Sequence, residues 1–228
     1  MKISSRTRLS RNLALLGLHI NQQGLPQLVQ EFLYGQLNLV NPPSTDAVAN
    51  ARLTAIASFE GPILVFHSAG TTFYAPSDVS GIHGMHREWI RATPCWRRRE
   101  HRYDCVFIVV NQERRGMRGM IVGRVRLFFS FIYNDIVYPC ALVDRFSRIG
   151  QSPDPVTGLW KVRPDVDHHG QRVQSVEHLD VIYRAAHLIP VYGNGNLPPD
   201  FHFSNSLDVF DSYYVNKYAD HHANEIAF

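Results

Sequence analysis

Apolar residues along this chain recur first at helical spacing and then at strand spacing. Leu13, Leu16 and Ile20 within Leu9 to Ile20, then Leu28, Phe32 and Leu33 ahead of Gln36 within Pro26 to Leu39, predict two amphipathic helices. Gly24 and Pro26 punctuate them, and Pro26 suits a first helical turn. Asn41-Pro42-Pro43 stops the second helix, and Thr45 or Asp46 can cap a short third one through Ala55.

From Gly61 the texture changes to short β-rich runs divided by turns: Pro62–Ser68, Thr71–Ala75, His86–Thr93, Arg102–Val110, Met120–Tyr133, Ile136–Phe146, Leu159–Pro164 and Val176–Tyr183. Asn134-Asp135 between the fifth and sixth is a two-residue hairpin signal. Strict alternation in the fifth run puts Val125, Leu127, Phe129 and Phe131 on one face, and Arg124, Arg126, Phe128 and Ser130 on the other. That places two arginines on an outer strand face. Residues 152–158 and 193–199 are turn-rich loops. Near the end, Leu207, Phe210, Tyr214, Tyr218 and His221 fit a helix, while Tyr213-Tyr214-Val215 also fits a strand followed by a short helix. The pattern predicts an α+β fold. A helical segment, 1–58, precedes a mainly antiparallel, partly open β-barrel closed by a C-terminal helix, 59–228.

Composition narrows the class. With 228 residues, 45% hydrophobic and 11% aromatic, the chain can bury a globular core. No apolar run approaches the ~20 residues of a membrane span. The basic N-terminus carries no small-residue cleavage site after its apolar stretch, so it reads as a mature amphipathic helix; a mitochondrial presequence shares its Arg- and Ser-rich composition. Three cysteines, Cys95, Cys105 and Cys140, do not make a disulfide framework and point to a reducing, intracellular compartment.

Charge adds a stronger signal. Of 23 basic residues, 20 are Arg, and eleven lie between Arg87 and Arg126: 87, 91, 97, 98, 99, 102, 114, 115, 118, 124 and 126. Only Glu88, Glu100, Asp104 and Glu113 oppose them, an excess of seven in a chain whose net charge is +3. Such asymmetry suits an anionic partner, although solvated strands and loops rich in Arg give the same count. The stretch His86–Tyr103 also interleaves Trp89, Trp96 and Tyr103 with arginines, the chemistry of phosphate neutralisation with stacking. Trp89 and Trp96 serve equally well as core anchors, and burial of at least one is expected.

Other chemistry is weaker. Asp220-His221-His222 resembles a fragment of the manganese phosphoesterase signature, but the chain has no DxD motif, and adjacent histidines diverge in direction. The same divergence weakens His168-His169 as a metal pair. Ser68 and Ser147 lie in no G-x-S-x-G elbow, and the Gly193-Asn194-Gly195-Asn196 run is turn chemistry. Cys95 reads as a packed thiol.

The ordered motifs VFHSAGTTFYAPSDVSGIHGMHREWIRATPCW, RYDCVFIVV, GMRGMIVGRVRLFFSFIYNDIVYPCALVDRF, PDPVTGLWKVRP, EHLDVIYRAAHLIPVYG and SLDVFDSYYVNKYADHH are similar to the C-terminal region of proteins encoded by Plavaka-type, CACTA-like transposons of mushroom-forming fungi. The likeness runs from Leu9 to Phe228. At Asp144-Arg145 the family pattern would carry a His-Trp pair, so a pocket or core contact made by that Trp is absent here. The resemblance implies that the transposase core lies upstream and that this region is not itself catalytic. The β-rich part is also similar in layout to bromo-adjacent homology (BAH) domains, which bind chromatin proteins and nucleosomes. There an RVRLFF-type strand is followed by an H-L-D-x-I stretch and a final aromatic strand, here Tyr213 to Val215.

The leading expectation is therefore a transposon-derived, nuclear, cofactor-free module. It would bind DNA or chromatin through Arg87, Arg91, Arg97, Arg98, Arg99, Arg102, Arg124 and Arg126. The alternatives are a BAH-like peptide reader with Trp89, Trp96, Tyr138 and Trp160 as pocket walls, and a metal-dependent hydrolase using Asp220, His221 and His222 with His168 or His169.

Overall fold

The computed structural model describes residues 2–3, 6–7, 12–37, 59–76, 81–193 and 196–228; the short helix expected through Ala55 lies outside them. The elements are β1 (Lys2–Ile3), β2 (Arg6–Thr7), α1 (Leu13–His19), α2 (Leu25–Leu37), β3 (Ile63–Phe66), β4 (Ser68–Tyr74), β5 (Met85–Thr93), β6 (Arg102–Tyr103), β7 (Cys105–Val109), β8 (Met120–Tyr133), β9 (Ile136–Ile149), β10 (Lys161–Pro164), β11 (Gln174–His178), β12 (Ile182–Ala186), β13 (Leu188–Pro190), α3 (Ser206–Val209), β14 (Tyr213–Val215) and α4 (His221–Ala227). The final segment resolves as a strand followed by a short helix.

The spine is the β8–β9 hairpin, 14 residues in each strand. Its turn residues Asn134 and Asp135 both have positive φ, 49° and 62°, as a type I′ connection requires. β8 pairs with β7 along its first half and with β3 along its second. The chain bends at His67 from β3 into β4, which pairs with β5; β5 then pairs with β6. A second bend at Asp104 leads back into β7. Two backbone hydrogen bonds, Asp104 N–H to the Arg91 carbonyl and Val125 N–H to the Asp104 carbonyl, each 2.9–3.0 Å, stitch this bend between β5 and β8. The antiparallel pairings thus curl into a small, partly open barrel, and the fold is α+β.

Three cores explain why β8 and β9 read as almost uninterrupted apolar runs. Inside the barrel, Phe66, Ile90, Val106, Ile108, Val125, Phe128 and Val143 pack together. The opposite face is covered twice. At the turn end, α1 and α2 lay Leu16, Leu25, Val29 and Leu33 over Phe129, Phe131, Cys140 and Leu142. At the other end, β10, β13, β14 and α4 bring Trp160, Val162, Leu188, Tyr213, Val215 and Ala227 onto Phe107, Val122 and Phe146. Asn12 caps α1, its side chain accepting from Ala14 N–H at 2.8 Å. Gly123 lies at a close contact among the neighbouring strands β7, β8 and β9: a Cβ there would lie 2.6 Å from Ile108 Cδ1 and 3.2 Å from Val143 Cβ.

The strict alternation expected in β8 is corrected at Arg126. The β8–β9 register slips between Val125 and Leu127, so Arg126 is the extra residue of a β-bulge. Val125 consequently joins Phe128 inside the barrel, while Leu127, Phe129 and Phe131 meet the helices. Nor do Arg124 and Arg126 face outward. Arg124 is 2% exposed, and its Nη1 donates to both Asp208 oxygens at 2.8 and 2.9 Å. Arg126 Nε donates to the buried Asp144 carboxylate at 2.6 Å, whose other oxygen accepts from Gln174 at 2.7 Å. Charged groups taken out of water need such partners.

Candidate nucleic-acid interface

On β5, period-two alternation sends His86, Glu88 and Ile90 inward and Met85, Arg87, Trp89 and Arg91 outward. The outward row forms a ladder of guanidinium and indole groups. The Arg87 guanidinium lies 4.6 Å from the centre of the Trp89 ring. Gly70 pairs opposite Trp89, and a Cβ there would come within 3.5 Å of the indole and 3.4 Å of the Arg87 guanidinium. Arg87 and Trp89 thus pack directly over the Gly70 backbone of β4. Trp89 remains 42% exposed.

The ladder continues through Trp96 in the β5–β6 connection. Arg91 lies 4.1 Å from its ring centre, and Arg97 and Arg102 each lie at 5.4 Å. All three are within the ~6 Å range of cation–π attraction. Asp104 is the local counter-charge: one oxygen accepts from Arg102 Nε at 2.8 Å and the other from the Arg91 backbone N–H at 2.9 Å. Burial lowers the Arg91 pKa, and the positive charges of Arg102 and Arg97 push it the same way, with Asp104 opposing. Three cations crowd one indole, so an added anion would be stabilised there.

The turn carrying these groups is unusual. Trp96 to Arg99 is a hairpin turn closed by Arg99 N–H donating to the Trp96 carbonyl at 3.0 Å. Its central residues, Arg97 and Arg98, both sit at positive φ, 52° and 62°. The same backbone geometry at the tip of β8–β9 is occupied by Asn134-Asp135, which tolerate it. For arginine the left-handed region costs roughly 1–2 kcal/mol per residue. Strain of this kind persists where the surrounding structure and function retain it.

Between this turn and the 3₁₀ turn Phe203–Asn205 opens a cleft of about 690 Å³, lined by Trp96, Arg97, Arg99, Arg102, Tyr103 and Phe203 among others. The eleven arginines therefore divide. Six, Arg87, Arg91, Arg97, Arg98, Arg99 and Arg102, belong to the ladder and its turn. Arg124 is buried, and Arg126 is half-buried with its charge engaged by Asp144. Arg114 and Arg115 are exposed beyond the far end of β7, and Arg118 stands 5.8 Å from the Trp160 ring.

The four aromatics of the reader alternative do not assemble. Tyr138 stacks on Phe131 at 5.5 Å under α2, and Trp160 is buried in the core beneath β14. Only Trp89 and Trp96 reach the surface. Cys95, read as a packed thiol, is exposed, because the turn that follows β5 lifts it off the barrel. Cys105 is the buried one, and burial pushes its thiol up to about 12.

The tail residues have a structural task that sequence spacing did not reveal. Asp220 is the N-cap of α4, accepting from Ala223 N–H at 2.7 Å, and it holds Arg184 through both oxygens at 2.9 and 2.5 Å. Arg184 is 5% exposed and also donates to Glu88 at 3.3 Å, while its Nη1 lies 3.2 Å from His222 Nδ1. His222 stacks on Phe73 at 4.8 Å, with ring planes 6° apart. His221 is exposed, and His168 and His169 sit in a separate exposed turn. Among the described residues, no three His, Cys, Asp or Glu side chains gather as a metal would need. An arginine already occupies the centre of the only part of the tripeptide that is buried.

Burial raises the Glu88 carboxyl, with Ala185 N–H and Arg184 pulling it back. At Asp220 burial also pushes upward, but Arg184 and the Ala223 amide outweigh it and hold the carboxyl below its usual range. Burial and the adjacent Arg184 hold the His222 imidazole below its usual value. Neither these partners nor Asp208 and Phe203 were visible as partners in the sequence.

No protein-family model matches the chain, and neither the curated proteins nor the solved structures yielded a match. No helix among the described residues is long and apolar enough to cross a membrane.

Proposed function

We propose that this chain is a non-catalytic, transposon-derived module that binds DNA, free or in chromatin, along the outer face of β5 and the Arg97–Arg99 turn. The observation that supports it most is the convergence of Arg91, Arg97 and Arg102 on Trp96, next to the Arg87–Trp89 pair, with Asp104 as the carboxylate bonded within the group. Guanidiniums spaced along a strand suit successive phosphates, and the indoles hold the cations in place while adding a flat apolar surface. Affinity then comes mainly from counterion release and is steeply salt-dependent. The contacts go to the backbone, so they position the chain without reading sequence.

Fluorescence anisotropy of labelled duplex DNA at several salt concentrations tests the reading. The wild type binds at low salt, and replacing Arg97, Arg98 and Arg99 together by Ala weakens binding and flattens the salt dependence. Absence of binding at low salt overturns it. Arg124 and Arg126 do not belong to the binding surface, since their charges are engaged by Asp208 and Asp144.

A further inference from the structure

We infer that the cleft between the Arg97–Arg99 turn and the Phe203 turn receives an unpaired nucleotide of the bound nucleic acid, stacking its base on Phe203. This rests on the nucleic-acid reading above and goes beyond it, since ladder contacts to phosphates are indifferent to strandedness.

The two walls differ in chemistry. One carries Arg97, Arg99 and Arg102 with Glu100 among them, a net cationic surface that suits a phosphate. The other carries Phe203, whose ring is 69% exposed although it belongs to a rigidly built turn. That turn is over-determined. His202 N–H donates to Asn205 Oδ1 at 2.9 Å, Asn205 Nδ2 to the Asp200 carbonyl at 3.2 Å, and Ser206 Oγ to the Phe203 carbonyl at 2.9 Å. A capping box with His202 completes it. His101 Nε2 lies 3.2 Å from the Ser204 carbonyl and ties the two walls together, fixing the cleft width. Arg124 and Tyr103 also line the cleft, the Arg124 guanidinium being held by its two bonds to Asp208.

An exposed phenyl ring on a hydrogen-bonded turn beside guanidiniums suits a ligand with both a π-face and a phosphate. The cleft of about 690 Å³ falls within the ~300–1,000 Å³ range of small-ligand sites, so a single nucleotide fits and a duplex does not. A base within a duplex has both faces covered by its neighbours. Phe203 can therefore contribute only where a base is unpaired, at an overhang, a gap or a single strand. Base–aromatic stacking of this kind accepts any base.

The test compares a blunt duplex, the same duplex with a single-stranded overhang, and the overhang strand alone, by anisotropy with the full chain. The overhang should bind about 10-fold tighter than the blunt duplex, toward the lower part of the range for one stacked base. Phe203→Ala, a change at an exposed ring, should abolish that preference while leaving blunt-duplex affinity and its salt dependence unchanged. Phe203→Trp should restore it. Equal binding of blunt and overhang DNA by the wild type overturns the inference and leaves the duplex reading standing. So does a Phe203→Ala variant that keeps the preference. Failure to bind any of the three probes overturns both.

Discussion

Replacing Arg97 by Asn and Arg98 by Gly should make the protein more stable and a poorer DNA binder. Both positions sit at positive φ in a two-residue hairpin turn, where Asn-Gly is the favoured pair. Relief of left-handed strain is worth roughly 1–2 kcal/mol per arginine. Glycine returns about 0.5–1 kcal/mol of that through its greater freedom in the unfolded chain. The net gain is about 1–3.5 kcal/mol, or a rise in Tm of roughly 2–14 °C for a chain this size. Binding moves the other way: for every phosphate no longer neutralised, the slope of log K against log salt becomes shallower by ~0.9. Thermal denaturation and salt-titrated anisotropy on the same preparation read both quantities. An unchanged or lower Tm would show that the turn stores no strain. A raised Tm with unchanged affinity would show that its arginines touch no phosphate. The reciprocal change, Asn134 and Asp135 both to Arg, imposes the same backbone demand at a tip far along the β8–β9 hairpin and should destabilise by a similar amount.

Arg184→Met should destabilise by about 3 kcal/mol in urea unfolding, because Asp220 and Glu88 lose their cation while partly buried; a loss under about 1 kcal/mol would contradict the role given to Arg184. Adding Asp220→Asn to that variant should recover part of the loss, since an uncompensated charge is removed. The pH dependence of stability should carry a His222 component. Its folded-state pKa lies below the usual 6.5, so the unfolded chain binds the extra proton first as pH falls. That component is fully present above about pH 6.5 and is lost on acidification toward the folded pKa. His222→Phe, which keeps a ring against Phe73, should show a shallower decline between about pH 7 and 5; parallel profiles would refute this. Glu88 works in the opposite sense, since its raised pKa adds stability as pH falls toward the carboxylate range.

What was legible in the sequence was mostly local. Asn134-Asp135 marked the β8–β9 turn because positive φ at two successive residues selects for such side chains. The interleaving of Trp89, Trp96 and Tyr103 with arginines was visible as composition, whereas which of them share a strand face came from the structure. Alternation misled at Arg126 because a bulge adds a residue without altering composition. The inward course of Arg124 was hidden for a different reason: its partner, Asp208, is 84 residues away, and only the folded chain brings them together. The same holds for Asp220 and Arg184, 36 residues apart. Tripeptide chemistry at 220–222 suggested a metal clamp, whereas the tail is a helix cap docked on a buried guanidinium. Phe203 gave no signal at all, because an aromatic in a loop reads as a core anchor until its exposure is known. The transposon likeness and any BAH-like reading of chromatin remain part of the proposal.

The most direct test of the arginine ladder as a DNA-binding surface is the salt dependence of binding by the wild type beside the Arg97, Arg98 and Arg99 triple Ala variant. With roughly three to five phosphates neutralised by the six ladder arginines, log K should fall against log salt with a slope of roughly −3 to −5, and the variant's slope should be shallower by about 2–3. No binding at low salt, or two identical slopes, would contradict it.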